Sequence, residues 1–259
     1  MCTRAVGGLA HYLEEEGVAT TQISLIREHT EVIKPPRALW VPFELGRPLG
    51  VPNDKDFQSR VLISVLNLFE AEKGPVLEDF SEDAPAAYGD TGPWACPVDF
   101  ERPEKDLGEL EKLRSALKGE IDQIRPWYGL AVKERGSTTV GASDVVLDHL
   151  ADFITAFLDD TLPENPNPEV PLPVQLSLAA NDLKAYYTEA VTVQPNRVRP
   201  GSNDLADWLW GETAAGEILL CIRDVCGESG DEFLKRVARG QIVPGSQGHR
   251  RSSMGKSRQ

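Results

Sequence analysis

The hydrophobic pattern changes character near Pro75, and this change is the strongest constraint that the sequence places on the fold. Before it, helical and strand-like segments alternate. Past a proline-rich stretch, from Lys105 onward, apolar residues recur only at the three- and four-residue spacing of amphipathic helices. We therefore expect an N-terminal α/β layer, partial and Rossmann-like with parallel strands, followed by an α-helical bundle, and a chain that is mostly helical overall.

The N-terminal segments alternate between helix and strand patterns. Their predicted bounds are a helix at 3–16, a strand at 20–26, a polar crossover at 27–34, a more continuously apolar strand at 38–43 and a helix at 54–71. Gly17 has the character of a helix C-cap, and Asn53 or Asp54 is placed to cap the last of these helices. The order of helix, strand, short crossover, strand and helix favours a parallel sheet.

Past residue 104 the apolar stripes predict only helices. The predicted order is a helix at 107–124 that ends or kinks at Arg125-Pro126, a second capped by Ser143, a third at 176–191, a fourth opened by Ser202-Asn203-Asp204 and a fifth at 231–239. We therefore divide the chain into an α/β domain at 1–74, a proline-rich connector at 75–104, a helical bundle at 105–243 and a disordered basic tail at 244–259.

Composition and charge narrow the class of protein. The formal net charge is −14, with 41 acidic against 27 basic side chains, and a surface of this sign repels phosphate backbones. No apolar run is long enough to span a membrane, and the first residues lack the pattern of a signal peptide. We expect a cytoplasmic protein that binds neither nucleic acid nor a membrane.

The cysteines and histidines predict no metal site. Cys221 and Cys226 are five residues apart on a predicted helix and face different sides of it, so they fit buried apolar positions better than shared ligation. The histidines are isolated and form no metal-binding helical motif. The sequence also lacks a phosphate loop and the motifs of flavin, nicotinamide and pyridoxal phosphate enzymes, so no cofactor is expected.

Two stretches of the α/β layer carry candidate binding residues. Arg27, Glu28 and His29 follow the first predicted strand, at the end where parallel sheets collect ligand-binding groups. Either Arg27 or Arg47 fits a carboxylate through a bidentate pair, and His29 fits proton transfer near neutral pH. Gly46 and Arg47 begin a Gly-Arg-Pro-Leu-Gly turn after the second strand. A solvated crossover for the first stretch, and a plain turn for the second, stay open as alternatives.

A family resemblance rests on the same N-terminal segments. It is carried by Cys2-Thr3-Arg4, by the helix that ends at Glu16-Gly17, by the strand at 22–26, and by Val41-Pro42 through Arg47-Pro48-Leu49-Gly50. In order and spacing, over about residues 2–70, these segments resemble the selenoprotein B component of glycine, sarcosine, betaine and D-proline reductases. The resemblance implies thiol- or selenol-based reductive C–N cleavage of a small amine or amino acid, with other reductase subunits as partners.

The resemblance also implies roles for individual residues. Cys2 corresponds to the family's resolving thiol, Arg4 would steady negative charge beside it, and His29 would donate a proton. In the family a selenocysteine or cysteine precedes the residue equivalent to Cys2, and an upstream in-frame UGA codon read as a stop would explain its absence here as a truncation. The alternative function is that of a non-catalytic interaction or small-molecule-binding protein on the same scaffold.

Overall fold

The computed structural model describes residues 3–43, 45–83, 100, 108–193 and 202–253. The chain divides into two compact units, Met1–Thr91 and Gly92–Gln259. The first contains a small parallel sheet with helices, and the second is helical. About 61% of the chain is helical, which confirms the predicted α/β layer followed by helices. The division falls inside the segment that the sequence assigned to the connector, most of which lies outside the described residues.

The N-terminal unit alternates helices and strands. Its elements are α1 (Thr3–Glu15), β1 (Gln22–Ser24), α2 (Arg27–Ile33), β2 (Arg37–Trp40), α3 (Lys55–Asn67) and β3 (Val76–Asp79). The strands form a parallel sheet in the order β1-β2-β3, with Gln22 opposite Ala38 and Ala38 opposite Leu77. The central strand buries Ala38 and Leu39, as its continuously apolar sequence predicts.

Caps place the ends of two helices where the sequence predicts them. Gly17 follows α1 with φ 81°, a left-handed conformation that glycine adopts without a Cβ penalty. The Asp54 carboxylate accepts a hydrogen bond from the Phe57 backbone N–H at 3.0 Å and caps α3. This bond satisfies one of the N–H groups that the first turn of a helix leaves without an internal partner.

Two elements of the N-terminal unit differ from the sequence prediction. Residues 27–34, which were expected to cross over without regular structure, form α2 and end at Lys34 in a left-handed conformation with φ 51°. β3 lies within the segment assigned to the connector and pairs along the whole of β2. Only two of its four residues are apolar, too few to produce an alternating pattern that the sequence could reveal.

A small apolar core joins the sheet to α3. Its buried residues are Leu39, Val41, Phe43, Phe57, Val61, Val65, Leu68 and Phe80. Three of them, Phe43, Phe57 and Phe80, contact one another with ring centroids 5.5–5.9 Å apart. Phe43 follows β2 and Phe80 follows β3, so this aromatic cluster lies beneath the carboxyl edge of the sheet and fixes the positions of the chain that leaves it.

The helical unit is built from six helices in its described part. They are α4 (Glu109–Arg135), α5 (Leu147–Thr155), α6 (Leu172–Val191), α7 (Ser202–Glu212), α8 (Ala214–Gly227) and α9 (Glu232–Val237), and a π-helical turn (Ala238–Ile242) follows. Helix α6 contributes more buried residues than any other of them, and its Leu176, Leu183, Tyr186 and Tyr187 are fully enclosed. The core of this unit is separate from that of the sheet.

Three helix boundaries differ from the sequence prediction. The first helix of the unit does not end at Pro126 but continues to Arg135, because Pro126 lies on an exposed face where water can reach the freed carbonyl. Ser143 does not cap α5, which begins four residues later, because its hydroxyl bonds Asp182 instead. The predicted fourth helix is interrupted at Thr213, which caps α8 through a bond from the Gly216 N–H.

The C-terminal segment is more ordered than the sequence predicts. Residues 244–253, the first part of the expected disordered tail, include a 3₁₀ turn at Gly245–Gln247 and pack on the helical unit. Ser252 is fully buried and Gln247 nearly so. Side-chain hydrogen bonds to acidic groups hold this segment, and a sequence reading based on apolar periodicity does not detect such contacts.

Candidate functional site at the carboxyl edge of the sheet

The carboxyl ends of the three parallel strands meet at one edge of the sheet. Arg27 follows β1, Phe43 and the glycine turn follow β2, and Asp79 ends β3. Open α/β sheets bind ligands outside this edge, because the loops there come from several strands and present side chains and helix starts together. The edge therefore holds most of the residues that the sequence nominated.

Arg27 is the best-connected residue of this edge. Its Nε donates to Asp79 Oδ1 at 3.1 Å, across the width of the sheet, and its Nη1 donates to Glu31 one turn along α2. The hydrogen bond to Asp79 is the main reason that the pKa of Arg27 is raised. All three side chains are between 38% and 50% exposed, so these ion pairs lie in water and exchange partners at little cost.

A second exposed ion pair joins α3 to the residues that follow β3. Arg60 on α3 holds Glu82 with two hydrogen bonds, from Nε at 3.0 Å and from Nη2 at 2.8 Å. The bond from Arg60 lowers the pKa of Glu82. The same guanidinium lies 5.3 Å from the centre of the Phe57 ring, a cation–π geometry. Arg60 thus links the aromatic cluster to the segment that follows β3.

His29 lies on the helix that begins at Arg27. The residue is half-buried, and its Nδ1 is screened from solvent without a hydrogen-bond partner among the described residues. A buried ring nitrogen without a partner is costly and uncommon. Glu28, the preceding residue, is exposed and accompanies it at the start of α2. An imidazole in this position has the chemistry to give or take a proton.

Gly46 and Arg47 lie in an exposed turn that follows β2. Gly46 has φ 91° and Gly50 has φ 79°, both of which require glycine. The Gly50 N–H donates to the Arg47 carbonyl at 2.9 Å and closes the turn. A structural reason therefore explains both glycines, and the turn presents Arg47 to solvent at the same edge as Arg27.

The remaining nominated residues lie elsewhere. Arg4 is exposed in the first turn of α1, and in the described part of the chain no hydrogen bond or ion pair connects it to Arg27 or His29. Cys2 lies outside the described residues, so its place relative to the edge stays a prediction. The structure brings Arg27, Glu28 and His29 together on one helix.

Sequence reasoning missed the acidic partners of this edge. Glu31 stands four residues after Arg27, a spacing at which opposite charges pair on a helix, and this signal was present in the sequence. Asp79 is 52 residues away from Arg27. Its role depends on β3, and without that strand no local pattern points to it.

The helical unit contains a different kind of polar cluster. Asp182 is 99% buried and accepts four hydrogen bonds, from the backbone N–H groups of residues 141, 142 and 143 and from the Ser143 hydroxyl. One heptad later, Glu189 accepts bonds from Thr138 and Thr139. One heptad earlier, Gln175 donates to the Ser143 carbonyl. A single polar stripe of α6 thus fixes the loop at 138–143.

A buried carboxylate also caps α8. Glu120 accepts bonds from the N–H groups of Ala214 and Ala215 and from the Tyr187 hydroxyl at 2.7 Å. Burial raises the pKa of Glu120, and the bonds from Ala214, Tyr187 and Ala215 offset this effect only in part. Every oxygen of this carboxylate has a protein partner, so Glu120 fastens α4 to the start of α8 and presents no free face to a ligand.

The two described cysteines of the helical unit are poorly placed for nucleophilic chemistry. Cys221 and Cys226 are both buried, as the sequence predicts. Burial raises the pKa of Cys226 to about 11, which keeps it a thiol at neutral pH. In the described ranges no group of three or more His, Cys, Asp or Glu side chains has the geometry of a metal site.

A groove on the helical unit is an alternative candidate site. It has a volume of about 470 Å³ and lies between α4 and the end of α5. Its charged side chains already pair with one another, Arg114 with Asp159 at 2.5 Å and Lys118 with Asp152 at 2.6 Å. An ionic ligand would have to displace these pairs, so the groove is a weaker candidate than the edge of the sheet.

The comparisons with known proteins supply no relative. No protein-family model, no curated protein and no solved structure matches the chain. Among the described helices, none is long and apolar enough to cross a bilayer.

Proposed function

We propose that the chain is a diverged or truncated selenoprotein-B-type reductase component that takes part in reductive C–N cleavage of a small amine or amino acid. The observation that supports this proposal most directly is the start of α1 at Thr3, immediately after Cys2 in the sequence. A helix start is followed there by parallel strands whose carboxyl edge holds Arg27 and His29. This is the arrangement that the family resemblance leads us to expect.

The start of α1 favours an ionised thiol. Helix N-termini carry free N–H groups and a partial positive charge that stabilise an adjacent thiolate. The first turn of α1 contains no acidic residue, and Arg4 lies in it. A thiolate that precedes this turn meets positive potential from both the backbone and Arg4, and we assign Arg4 the role of steadying negative charge.

The proposed reaction balances in two steps. In this proposal Cys2 itself takes the reactive role that the family gives to the preceding selenocysteine or cysteine: its thiolate attacks the carbon that bears nitrogen, a C–S bond forms and the C–N bond breaks. The nitrogen leaves with the bonding pair and takes a proton from His29. A dithiol of a partner subunit then supplies two electrons: the C–S bond becomes C–H, the thiol is restored and the partner is oxidised to a disulfide. The proposal thus requires other subunits and fits the cytoplasmic location expected from the sequence.

The pH dependence of alkylation tests this proposal. The full chain is treated with iodoacetamide across a pH series, and labelling at each cysteine is quantified by peptide mass spectrometry. We expect Cys2 to react at pH values well below the ordinary thiol pKa of about 8.5, ahead of Cys96. We expect Arg4→Ala to shift the Cys2 profile upward, whereas Lys73→Ala leaves it unchanged. Equal and slow labelling of Cys2 and Cys96 contradicts the proposal.

The second candidate function is ligand binding at the carboxyl edge of the sheet without catalysis by Cys2. Arg27, Glu31 and Asp79 form exposed pairs that a small ligand with a carboxylate or an ammonium group can enter. A non-catalytic small-molecule-binding protein needs this edge but not the thiol. Calorimetric titration with glycine, sarcosine, betaine and proline separates the reductase from the binding protein. Binding that survives Cys2→Ser but is abolished by Arg27→Ala favours the binding protein, provided that Cys2 is alkylated with the pH dependence of an ordinary thiol.

A further inference from the structure

The C-terminal segment Arg250–Ser253 lies on one face of α7 and α8. Three carboxylates of these helices each bind a different residue of it. Asp207 accepts from Arg250 Nη2 at 2.6 Å, Asp224 accepts from the Ser252 hydroxyl at 2.7 Å, and Glu217 accepts from the Ser253 backbone N–H at 2.5 Å. These carboxylates, with Arg223, are called the carboxylate face below.

Two further features shape this face around the segment. Arg223 donates from Nη2 to the Arg250 carbonyl at 2.9 Å and from Nε to Asp224 at 2.8 Å, so it binds the peptide backbone and orients the carboxylate. Gly211 lies beneath the guanidinium: a Cβ there would be 2.9 Å from Arg250 Nη1. The face thus has a place for a cation, a pocket for a buried serine side chain and contacts to backbone groups.

The segment itself is polar. Ile242 and Val243 are buried apolar residues, but residues 244–253 contain no apolar side chain larger than proline. Without the segment, the face would carry three carboxylates and one guanidinium, a net charge of −2. The pair between Arg250 and Asp207 is 25% and 70% exposed at its two ends, so salt screens it and its contribution is modest.

We propose that the carboxylate face is a binding site for a basic, serine-containing peptide, and that the chain's own residues 250–253 occupy it in a reversible manner. A core element of a fold is anchored by apolar burial, whereas this segment is recognised as a ligand would be, by its charge, its hydroxyl and its backbone. The sequence separates it from the last buried apolar residue, Val243, by a stretch rich in glycine and polar residues, of which Gln247 is buried. Detachment of the segment therefore uncovers only polar side chains of its own. The inference is independent of the reductase proposal.

A peptide supplied in trans tests the site in the full chain. A fluorescein-labelled peptide with the sequence of residues 244–259 is titrated with the wild-type chain and with Arg250→Ala, whose own segment is weakened. We expect the peptide to bind Arg250→Ala about fivefold more tightly than wild type, since one exposed, charge-assisted contact no longer competes. Adding Asp224→Asn to Arg250→Ala should weaken peptide binding by a similar factor. Adding Glu212→Gln, an exposed α7 residue without a bond to the segment, should leave it unchanged.

The unmodified chain provides a second test that does not depend on any variant. Amide hydrogen exchange of residues 250–253 is measured at low and at high salt, with the amides of α8 as the internal reference. We expect the segment to exchange faster as salt rises, while the α8 amides keep their rate. Exchange of the segment only together with α8 overturns the proposal, because the segment would then be part of the fold. The proposal is also wrong if the peptide binds neither the wild-type chain nor Arg250→Ala, or if adding Asp224→Asn does not weaken its binding.

Discussion

In the N-terminal unit, the carboxylates Asp79 and Glu82 lie at exposed strand ends and meet arginine side chains, each with about half of its side-chain surface in water. In the helical unit, Asp182 and Glu120 lie almost wholly inside and meet backbone N–H groups and hydroxyls. Both units thus satisfy their carboxylates, but with partners of different mobility. An arginine side chain can turn to another anion, whereas a backbone N–H cannot leave without moving the chain.

This contrast separates binding from stability. An exposed ion pair contributes at most about 1 kcal/mol, so a ligand can replace either member without unfolding the unit. A buried carboxylate with several donors is strongly destabilising to remove, because the donors stay behind without partners. We therefore assign ligand exchange to the edge of the sheet and structural fixation to the polar stripe of α6.

The largest expected effect is that of Asp182→Ala. The substitution leaves three backbone N–H groups and the Ser143 hydroxyl without their acceptor, and we expect a loss of about 3–5 kcal/mol in the free energy of unfolding. Urea denaturation followed by circular dichroism measures it. Asn181→Ala, at an exposed position of the same helix, should change the stability by less than about 0.5 kcal/mol. If Asp182→Ala and Asn181→Ala reduced the stability equally, the buried carboxylates of the helical unit would not differ in importance from exposed polar residues.

Gly216→Ala tests how closely two helices of the same unit approach. A Cβ at Gly216 would lie 2.8 Å from the Trp210 Cα and closer still to the Leu209 carbonyl oxygen. Both obstacles are backbone atoms, so α7 must move away from α8, and we expect a loss of about 3 kcal/mol. Gly119→Ala is the control, since a Cβ there meets nothing within 4 Å. If calorimetric melting shows the same stability for both variants, the close contact is not essential.

Much of the fold could be predicted from apolar periodicity, because each helix shows its buried face within a few turns. The stripe on α4 and the apolar run of β2 are examples, and both elements begin within two residues of the predicted position. Periodicity fails for short elements and for polar contacts. β3 has two apolar residues, and the break at Thr213 comes from a capping bond and a glycine contact that carry no periodic signal.

The candidate site was less predictable than the fold, because its residues are joined across the sequence. Arg27 could be nominated from its place after β1, but its partner Asp79 becomes visible only once three strands are aligned. Likewise, the sequence predicts that Ser143 caps a helix, whereas in the structure its hydroxyl donates to Asp182, 39 residues later. A local pattern can nominate one member of such a pair, and the tertiary structure supplies the other.

The pKa values of two carboxylates in the helical unit are shifted in opposite directions. Burial disfavours ionisation of Glu189, but the bonds from Thr139 and Thr138 outweigh it and lower its pKa, whereas burial prevails at Glu120 and raises its pKa. As pH falls below 4.5, the ordinary pKa of a glutamate, Glu189 is protonated first in the unfolded chain. The free energy of unfolding that the ionised Glu189 contributes is therefore lost as pH falls. For Glu120 the folded chain takes up the proton first, so stability is gained as pH falls toward 4.5.

Denaturation of two glutamine variants at a series of acidic pH values tests the direction of each pKa shift. At neutral pH we expect Glu189→Gln to cost about 1.5 kcal/mol, because charge-assisted bonds become neutral ones. Relative to wild type, this cost should shrink as pH falls. The stability of wild type relative to Glu120→Gln should instead rise as pH falls. Parallel pH profiles of the two variants would show that these carboxylates do not differ as their surroundings imply.

The smallest expected effect belongs to the edge of the sheet. Arg60→Ala removes the paired bonds to Glu82 and the contact with the Phe57 ring, yet the side chain is half exposed, so we expect a loss below about 1 kcal/mol. Hydrogen exchange at β2 and β3 measures it within the N-terminal unit. Lys73→Ala is the control, because Lys73 is exposed and makes no hydrogen bond or ion pair with another described residue. A loss comparable to that of Asp182→Ala would mean that the edge is as rigid as the α6 stripe. The pairs around Arg60 and Arg27 would then be structural fixtures, and a ligand could not enter by exchanging with them.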